Sequence, residues 1–322
     1  MHQQTRKERL VQFDILKGIG IILVIIGHTS LSGYPKSLIY GFHMPLFFFC
    51  SGVFYKDKPF AEVLVKSFKQ LIVPYFFFLV VWNWVNMAVN LHGADMHTYL
   101  GVLRQNINIL DENSYWYKTI WFLPCLFSVR ILYAIISGKV KNRIWHACIG
   151  GGIYLIGNQI FNISFFIDTT LSVYIYYFLG NLFFTSSLYK KKISTHYTIL
   201  LFLAYVAIIY VFEPNVNLKN NVFPIYLVLV ASLGIYVAYQ FALLVRDHTK
   251  LLSRFLKQCG ESSITLLGFH RPIWLVVNPL CKMLTSSLFV LFLVQLMSAL
   301  VTILPLHRFF SKYTPTLIGK NK

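Results

Sequence analysis

Long apolar runs recur along almost the whole chain, and they leave little room for any other kind of fold. A bilayer core of about 30 Å takes about 20 residues of helix to cross. We predict about ten such helices, at residues 13–32, 38–55, 70–90, 119–137, 144–161, 168–187, 197–212, 222–245, 262–283 and 286–306. The sequence therefore predicts an all-α, polytopic membrane bundle over residues 13–306, between an N-terminal segment, 1–12, and a C-terminal tail, 307–322.

Composition agrees with this class of protein and excludes others. Only 12% of the residues are charged while 57% are hydrophobic, against about 25% charged residues in a typical soluble domain. The net charge is +18, but nucleic-acid binders reach such a charge with polar, basic surfaces that this chain lacks, so we expect no nucleic-acid partner. The five cysteines are scattered without CxxC spacing, which indicates neither a zinc site nor a disulfide framework, and we expect no metal.

The basic residues indicate how the bundle is oriented. With the N-terminus inside, 21 of the 29 Lys and Arg residues lie in the termini and the even-numbered loops, and 5 lie on the opposite side. This asymmetry is the positive-inside rule, and it predicts that both termini are cytoplasmic. No small-residue cleavage site follows the first apolar run, so we expect that helix to be retained. Lys17, Arg130 and Arg271 are the cations left within spans.

Ionisable residues at membrane depth are costly and are functional candidates. In the first span, Asp14 and Lys17 are spaced for an i,i+3 ion pair. His28 follows Lys17 by three helical turns, on the same face and roughly 16 Å away along the axis. An alternative remains open in which Lys17 only extends to the cytoplasmic interface.

The other candidates lie in three later spans. His43 enters the second span at the depth of His28, so the two histidines could face one cavity. Trp121 lies at the external end of the fourth span, with Arg130 near its middle. The ninth span is interrupted by His270, Arg271 and a proline that can expose helix carbonyls. Buried guanidinium groups favour a phosphate or carboxylate ligand, although bonds to helix carbonyls are an alternative.

These residues occur in segments that resemble a known family. The segments are Phe13–Ile19 with Gly27–His28, Phe42–Gly52, Trp121–Pro124, and Gly260–Ile264 leading to His270. Over about residues 10–308 the chain resembles the acyltransferase-3 family of integral membrane acyltransferases, most closely its fucose 4-O-acetylase-like branch. The family motif is a basic residue, ten intervening residues and a histidine. It falls here on Lys17 and His28, with lysine where the family usually has arginine.

The resemblance implies a ten-helix core in a bacterial inner or plasma membrane that transfers acetyl from cytoplasmic acetyl-CoA to a carbohydrate hydroxyl. His28 would match the family's catalytic histidine, and we expect His43 to orient His28 or the acceptor. We expect Lys17, Arg130 and Arg271 to hold the phosphates or pantetheine end of CoA and Trp121 to offer a stacking surface for the sugar. We also expect Asp14 and His270 to contact substrate. Membrane lipids, acetyl-CoA and a carbohydrate acceptor are the expected partners, with no permanently bound cofactor. A flippase for lipid-linked sugars and a longer acyl donor remain alternatives.

Overall fold

The computed structural model describes residues 10–29, 31–90, 95–107, 120–159, 167–212 and 224–320. Every regular element within those ranges is helical, which confirms the all-α prediction. The helices are α1 Val11–Gly27, α2 Tyr34–Tyr40, α3 His43–Val53, α4 Phe60–Ser67, α5 Val73–Asn90, α6 Met96–Ile107, α7 Phe122–Lys139, α8 Arg143–Gln159, α9 Ile167–Thr185, α10 Thr195–Phe212, α11 Pro224–His248, α12 Lys250–Glu261, α13 Ser263–Leu284 and α14 Leu288–Tyr313. A π-helical turn, Phe68–Ile72, joins α4 to α5, and 3-10 turns lie at Leu188–Lys190 and Pro315–Ile318.

Among the described residues, four helical segments are long and apolar enough to cross a membrane. They are Phe60–Asn90, Phe122–Lys139, Pro224–His248 and Leu288–Tyr313. Apart from the second, each predicted span coincides with one helix; that all of them cross a bilayer stays a prediction. Some residues of the predicted segments lie outside the described residues. They are 30, 119, 160–161 and 222–223 of the predicted spans, and 1–9 and 321–322 of the predicted terminal segments.

The prediction of one helix over 38–55 is wrong. The chain forms α2 and α3 instead, and the break lies at Gly41 and Phe42. The Tyr205 hydroxyl donates to the Leu38 carbonyl at 2.7 Å, and this carbonyl is the one that Phe42 N–H would use in a continuous α-helix. The Phe42 amide instead donates to the Ile39 carbonyl at 3.4 Å. Neither short helix alone is long enough to cross a bilayer.

α1 lies at the centre of the described bundle, in contact with α3, α11, α12 and α13. Its crossing with α12 depends on two glycines. A Cβ on Gly260 would lie 1.8 Å from the Asp14 carbonyl oxygen, and one on Gly18 would lie 1.9 Å from the Leu256 carbonyl oxygen. Small residues of this kind let helix backbones approach closely. The crossing holds α12, which the sequence predicted as part of a loop, against the first turns of α1.

Candidate active site

The site contains a pair of histidines from two helices. His28 follows α1 directly, and its amide donates to carbonyls of the last turn. His270 is fully buried in α13. The Nδ1 atom of His28 lies 3.1 Å from Nε2 of His270, and the ring planes are parallel within 2° with centroids 5.1 Å apart. The rings therefore meet edge to edge through a hydrogen bond.

The neighbours of this pair determine which nitrogen carries each proton. His270 Nδ1 lies 3.0 Å from the Leu266 carbonyl, and a carbonyl can only accept. For neutral rings, His270 Nδ1–H therefore donates to Leu266, and its Nε2 accepts from Nδ1–H of His28. This assignment follows from the bonding pattern, and it leaves Nε2 of His28 with a lone pair.

His43 is held by the same kind of bond. It is the first residue of α3 and is 3% exposed, with Nδ1 2.9 Å from the Ile39 carbonyl. Its Nε2 is therefore also a lone-pair nitrogen in the neutral ring. The ring of Tyr40 meets His43 edge-on at 4.8 Å between centroids, and the Tyr40 hydroxyl donates to the Gly27 carbonyl at 3.1 Å. Tyr40 thus connects α2 to the end of α1.

Arg271 lies at this histidine end. Its guanidinium carbon is 5.9 Å from the centroid of the Trp274 ring, and Trp274 meets His270 edge-on at 5.2 Å. The sequence grouped Arg271 with Lys17 and Arg130 as a ligand of CoA, whereas the structure brings it to the histidines. It therefore lies beside His270 and Trp274.

Asp14 and Lys17 mark the other end of α1. Their predicted ion pair is present at 2.8 Å, and Lys17 Nζ lies 5.8 Å from the centroid of the Phe54 ring. Phe54 in turn borders a cavity of about 450 Å³, here called the arginine cavity. Its cationic lining residues are Lys56, Lys58, Lys66 and Arg130, and its aromatic ones are Phe54, Tyr55 and Tyr177.

Arg130 is fixed in this cavity by two side chains. Its Nε donates to Ser51 Oγ at 3.0 Å, and its Nη1 donates to Gln70 Oε1 at 3.0 Å. Gln70 lies in the π-helical turn, which is a local irregularity that often occurs at functional sites. Burial raises the pKa of the Tyr55 hydroxyl, so this group stays neutral and adds no negative charge.

An apolar gap lies between the two ends. Ile21 and Val24 follow Lys17 on the α1 face that leads to His28, at i+4 and i+7. They border a gap of about 20 Å³ together with Met44, Phe47, Phe122, Ser263, Ile264 and Leu267. That volume is close to the space one water needs, so the passage along α1 is narrow in this conformation.

Several site residues were not found by sequence reasoning, and the expected contact of Trp121 with substrate stays a prediction. Trp121 packs on the large central hydrophobic cluster just before α7, with no recorded contact to the histidines among the described residues. The residues missed are Tyr40, Ser51, Gln70 and Trp274. The spacing of apolar residues does not predict a π-helical turn. It also predicts that an aromatic residue on a buried helix face belongs to the hydrophobic core.

The fold and the two-ended site define a class. The chain belongs to the acyltransferase-3 family, whose acyltransferase-domain model matches residues 10–307, and it is a multi-pass membrane protein. Nodulation protein NolL of Mesorhizobium japonicum is 31% identical over 153 residues, which cover 42% of this chain and 38% of that protein. NolL of Sinorhizobium fredii is 28% identical over 156 residues, 44% of this chain and 40% of that protein. The matched region thus spans about two fifths of each relative, and no solved structure matches significantly.

Proposed function

We propose that this protein is a membrane O-acetyltransferase that moves acetyl from cytoplasmic acetyl-CoA to a hydroxyl of a cell-surface or lipid-linked carbohydrate. The observation that supports this most is the hydrogen-bonded order of His28 and His270. It leaves one basic nitrogen, His28 Nε2, at the end of the helix whose other end borders a cationic cavity. Family membership supports acyl transfer, and the motif likeness to fucose 4-O-acetylases supports a sugar hydroxyl.

In the proposed reaction, His28 Nε2 takes the proton of the acceptor hydroxyl as its oxygen attacks the thioester carbonyl carbon. The carbon–sulfur bond then breaks, the acetyl group stays on the oxygen, and the protonated His28 returns its proton to the leaving thiolate. His270 Nε2 accepts from His28 Nδ1–H throughout, which stabilises the imidazolium formed in between. A transient acetyl-histidine is an alternative for the same nitrogen.

Arg271 supplies positive charge where the thioester oxygen becomes negative. A fixed cation in a site with little water stabilises such an oxyanion far more than it would in water. His43, with its free Nε2 and its contact with Tyr40, is placed to orient the acceptor, because His270 already takes the position beside His28. In our proposal this replaces the role of CoA ligand that the sequence suggested for Arg271.

The donor occupies the other end of α1. The arginine cavity offers four cations for the phosphates of CoA and three aromatic rings for its base. Arg130, held by Ser51 and Gln70, presents its planar group in one orientation, as phosphate recognition favours. The pantetheine chain then follows Lys17, Ile21 and Val24 toward His28, and the narrow gap must open as the chain enters.

The membrane arrangement we propose places the N-terminus and the arginine cavity in the cytoplasm. About ten spans and the positive-inside distribution support this orientation. The histidine end then faces the outer half of the membrane, where Lys36, Tyr40 and Trp121 are available to a glycan. A bacterial inner or plasma membrane fits, since both relatives are bacterial proteins.

The test is an assay in membranes that contain the protein, with radiolabelled acetyl-CoA and a surface-glycan extract as acceptor. An acetyltransferase releases free CoA in step with label in the glycan, and both stop without acceptor. A flippase moves glycan across the membrane and releases no CoA. Glycan translocation without CoA release would contradict our proposal and support the flippase.

A further inference from the structure

A second basic cavity lies away from the proposed acetyl path. This tail cavity has a volume of about 560 Å³. Five cations line it, with one acidic residue; these are Arg254, Lys257, Arg308, Lys312, Lys320 and Glu261. It is built by α12, the end of α14 and the C-terminal segment, so three separate parts of the chain converge on it.

The cavity is organised by polar contacts. Lys320 Nζ lies 2.9 Å from His307 Nε2 and donates to Ser311 Oγ at 2.9 Å. His307 Nδ1 lies 2.7 Å from the Thr265 hydroxyl. The C-terminal segment is therefore attached to α14 and α13 by side-chain bonds. Within the part of the chain that the structure describes, one lining carboxylate, Glu261, opposes the five cations, and it lies 3.9 Å from Lys257. Charge complementarity thus calls for an anionic ligand.

The two basic cavities are lined by different kinds of residues, which suit different ligands. The arginine cavity contains Phe54, Tyr55 and Tyr177, which suit a nucleotide base, whereas among the described residues no Phe, Tyr or Trp lines the tail cavity. They lie on either side of the C-terminal turn. Gln70 lines the first and Lys320 the second, and a Cβ on Gly319 would lie 2.5 Å from the Gln70 carbonyl oxygen.

An exposed apolar row leads along α14 to the tail cavity. Val301, Phe309 and Tyr313 are exposed by 63%, 54% and 59%, and with exposed Pro305 they recur every four residues. Such positions form one ridge of a helix. Lys312 lies 5.1 Å from the Tyr313 ring centroid. Tyrosine is enriched at the membrane–water interface, which favours headgroup depth for the cavity and acyl-chain depth for the ridge.

We propose that the tail cavity binds the phosphate headgroup of an anionic phospholipid, whose acyl chain lies along the α14 ridge. Arg308 and Lys312 contact the phosphate from α14, and Arg254 and Lys257 contact it from α12. This goes beyond the proposed acetyl transfer and does not depend on it. Because α12 crosses α1 beside Asp14, a bound lipid would hold that crossing in place.

Native mass spectrometry of the purified full chain tests this, with phosphatidylglycerol and phosphatidylcholine offered in equal amounts. We expect phosphatidylglycerol to be retained about tenfold more. The double variant Arg308→Gln/Lys312→Gln should lose that preference, and the matched variant Lys190→Gln/Lys191→Gln, which removes the same charge from an exposed turn, should keep it. An equal loss in both variants would mean bulk charge attraction and would overturn the proposal.

Two further measurements distinguish a lipid from soluble phosphate compounds and do not depend on the double variant. Excess CoA or inorganic phosphate should leave phosphatidylglycerol bound, and displacement by either would make the cavity a site for soluble phosphate compounds. A photoreactive phosphatidylglycerol, carrying its reactive group on the acyl chain, should label residues 301–313 of the unmodified protein. This arm holds even if the double variant fails to fold, and labelling confined to other helices would refute the proposal.

Discussion

The two ends of α1 show opposite solutions to the problem of placing ionisable groups in a membrane protein. At the histidine end, polar nitrogens are paired one by one with carbonyls or with each other, so a single orientation remains. At the lysine end, cations cluster around an open cavity, where Arg130 is held by Ser51 and Gln70 and the other cations belong to lysines. In our proposal, proton transfer at the histidine end requires a fixed orientation of the imidazole rings. Binding of phosphate groups at the lysine end requires positive charge.

The largest effect is expected when the proposed general base is removed. His28→Ala should lower the rate of CoA release by about 10²- to 10⁴-fold, the range typical of general base catalysis. CoA binding in the arginine cavity should stay unchanged, because His28 lies roughly 16 Å from Lys17 along the helix. Rates come from CoA release and affinity from equilibrium dialysis. A rate within tenfold of the unmodified protein would remove His28 from the mechanism.

His270 should act through His28, and two substitutions separate this role from simple packing. His270→Ala removes the acceptor of His28 Nδ1–H and should lower kcat about 10- to 100-fold, as loss of an orienting partner does at other sites. His270→Gln can still accept that proton through its side-chain oxygen and should recover part of kcat. KM for acetyl-CoA should change little in both. Equal activity in the two variants would contradict the positioning role.

The crossing between α1 and α12 lies at the lysine end, beside Asp14 and Gly18. Gly260→Ala places a methyl group against the Asp14 carbonyl and should reduce stability by about 1–3 kcal/mol or more, as overpacking does. The matched control is Gly151→Ala, since a Cβ there would meet nothing within 4 Å and alanine favours helix. Thermal unfolding in detergent should show a lower midpoint for the first variant alone. Equal midpoints would mean that the crossing is looser than described.

The sequence predicted more of the candidate residues at the histidine end than at the lysine end, for physical reasons. Histidines within apolar runs are conspicuous, so His28, His43 and His270 were all found. Which histidine contacts His28 depends on how α13 packs against α1, and no spacing along the chain encodes that. The lysines of the arginine cavity were counted as orientation signals, because loop position alone does not distinguish a solvated lysine from one that lines a cavity.

The same limit explains the error in the second span. Residues 38–55 are mostly apolar, but a tertiary hydrogen bond from Tyr205 takes up a carbonyl that a continuous helix would use, and His43 begins a new helix. The donor is more than 160 residues away in the chain, so no local pattern contains it. The break has a consequence for the site, since it is what places His43 at a helix start beside Tyr40.

A smaller effect is expected at the cationic end. Arg130→Gln removes the charge but leaves polar groups near Ser51 and Gln70, and it should raise KM for acetyl-CoA about tenfold with little change in kcat. One factor of ten corresponds to about 1.4 kcal/mol, a reasonable amount for one phosphate contact. The KM of the unmodified protein should also rise with salt concentration, since salt screens solvent-exposed charges. A fall in kcat at constant KM would place Arg130 in the chemistry instead.

The smallest effect should come from the position where the family usually has arginine. Lys17 pairs with Asp14, yet its side chain is 26% exposed, and ion pairs of this kind contribute at most about 1 kcal/mol. Lys17→Arg keeps the charge and should change KM by less than about threefold, while Lys17→Gln should raise it more. Both values come from the CoA-release assay. If Lys17→Arg instead lowered kcat by tenfold or more, the shape of this side chain would matter to the reaction, and the separation of the two ends would not hold.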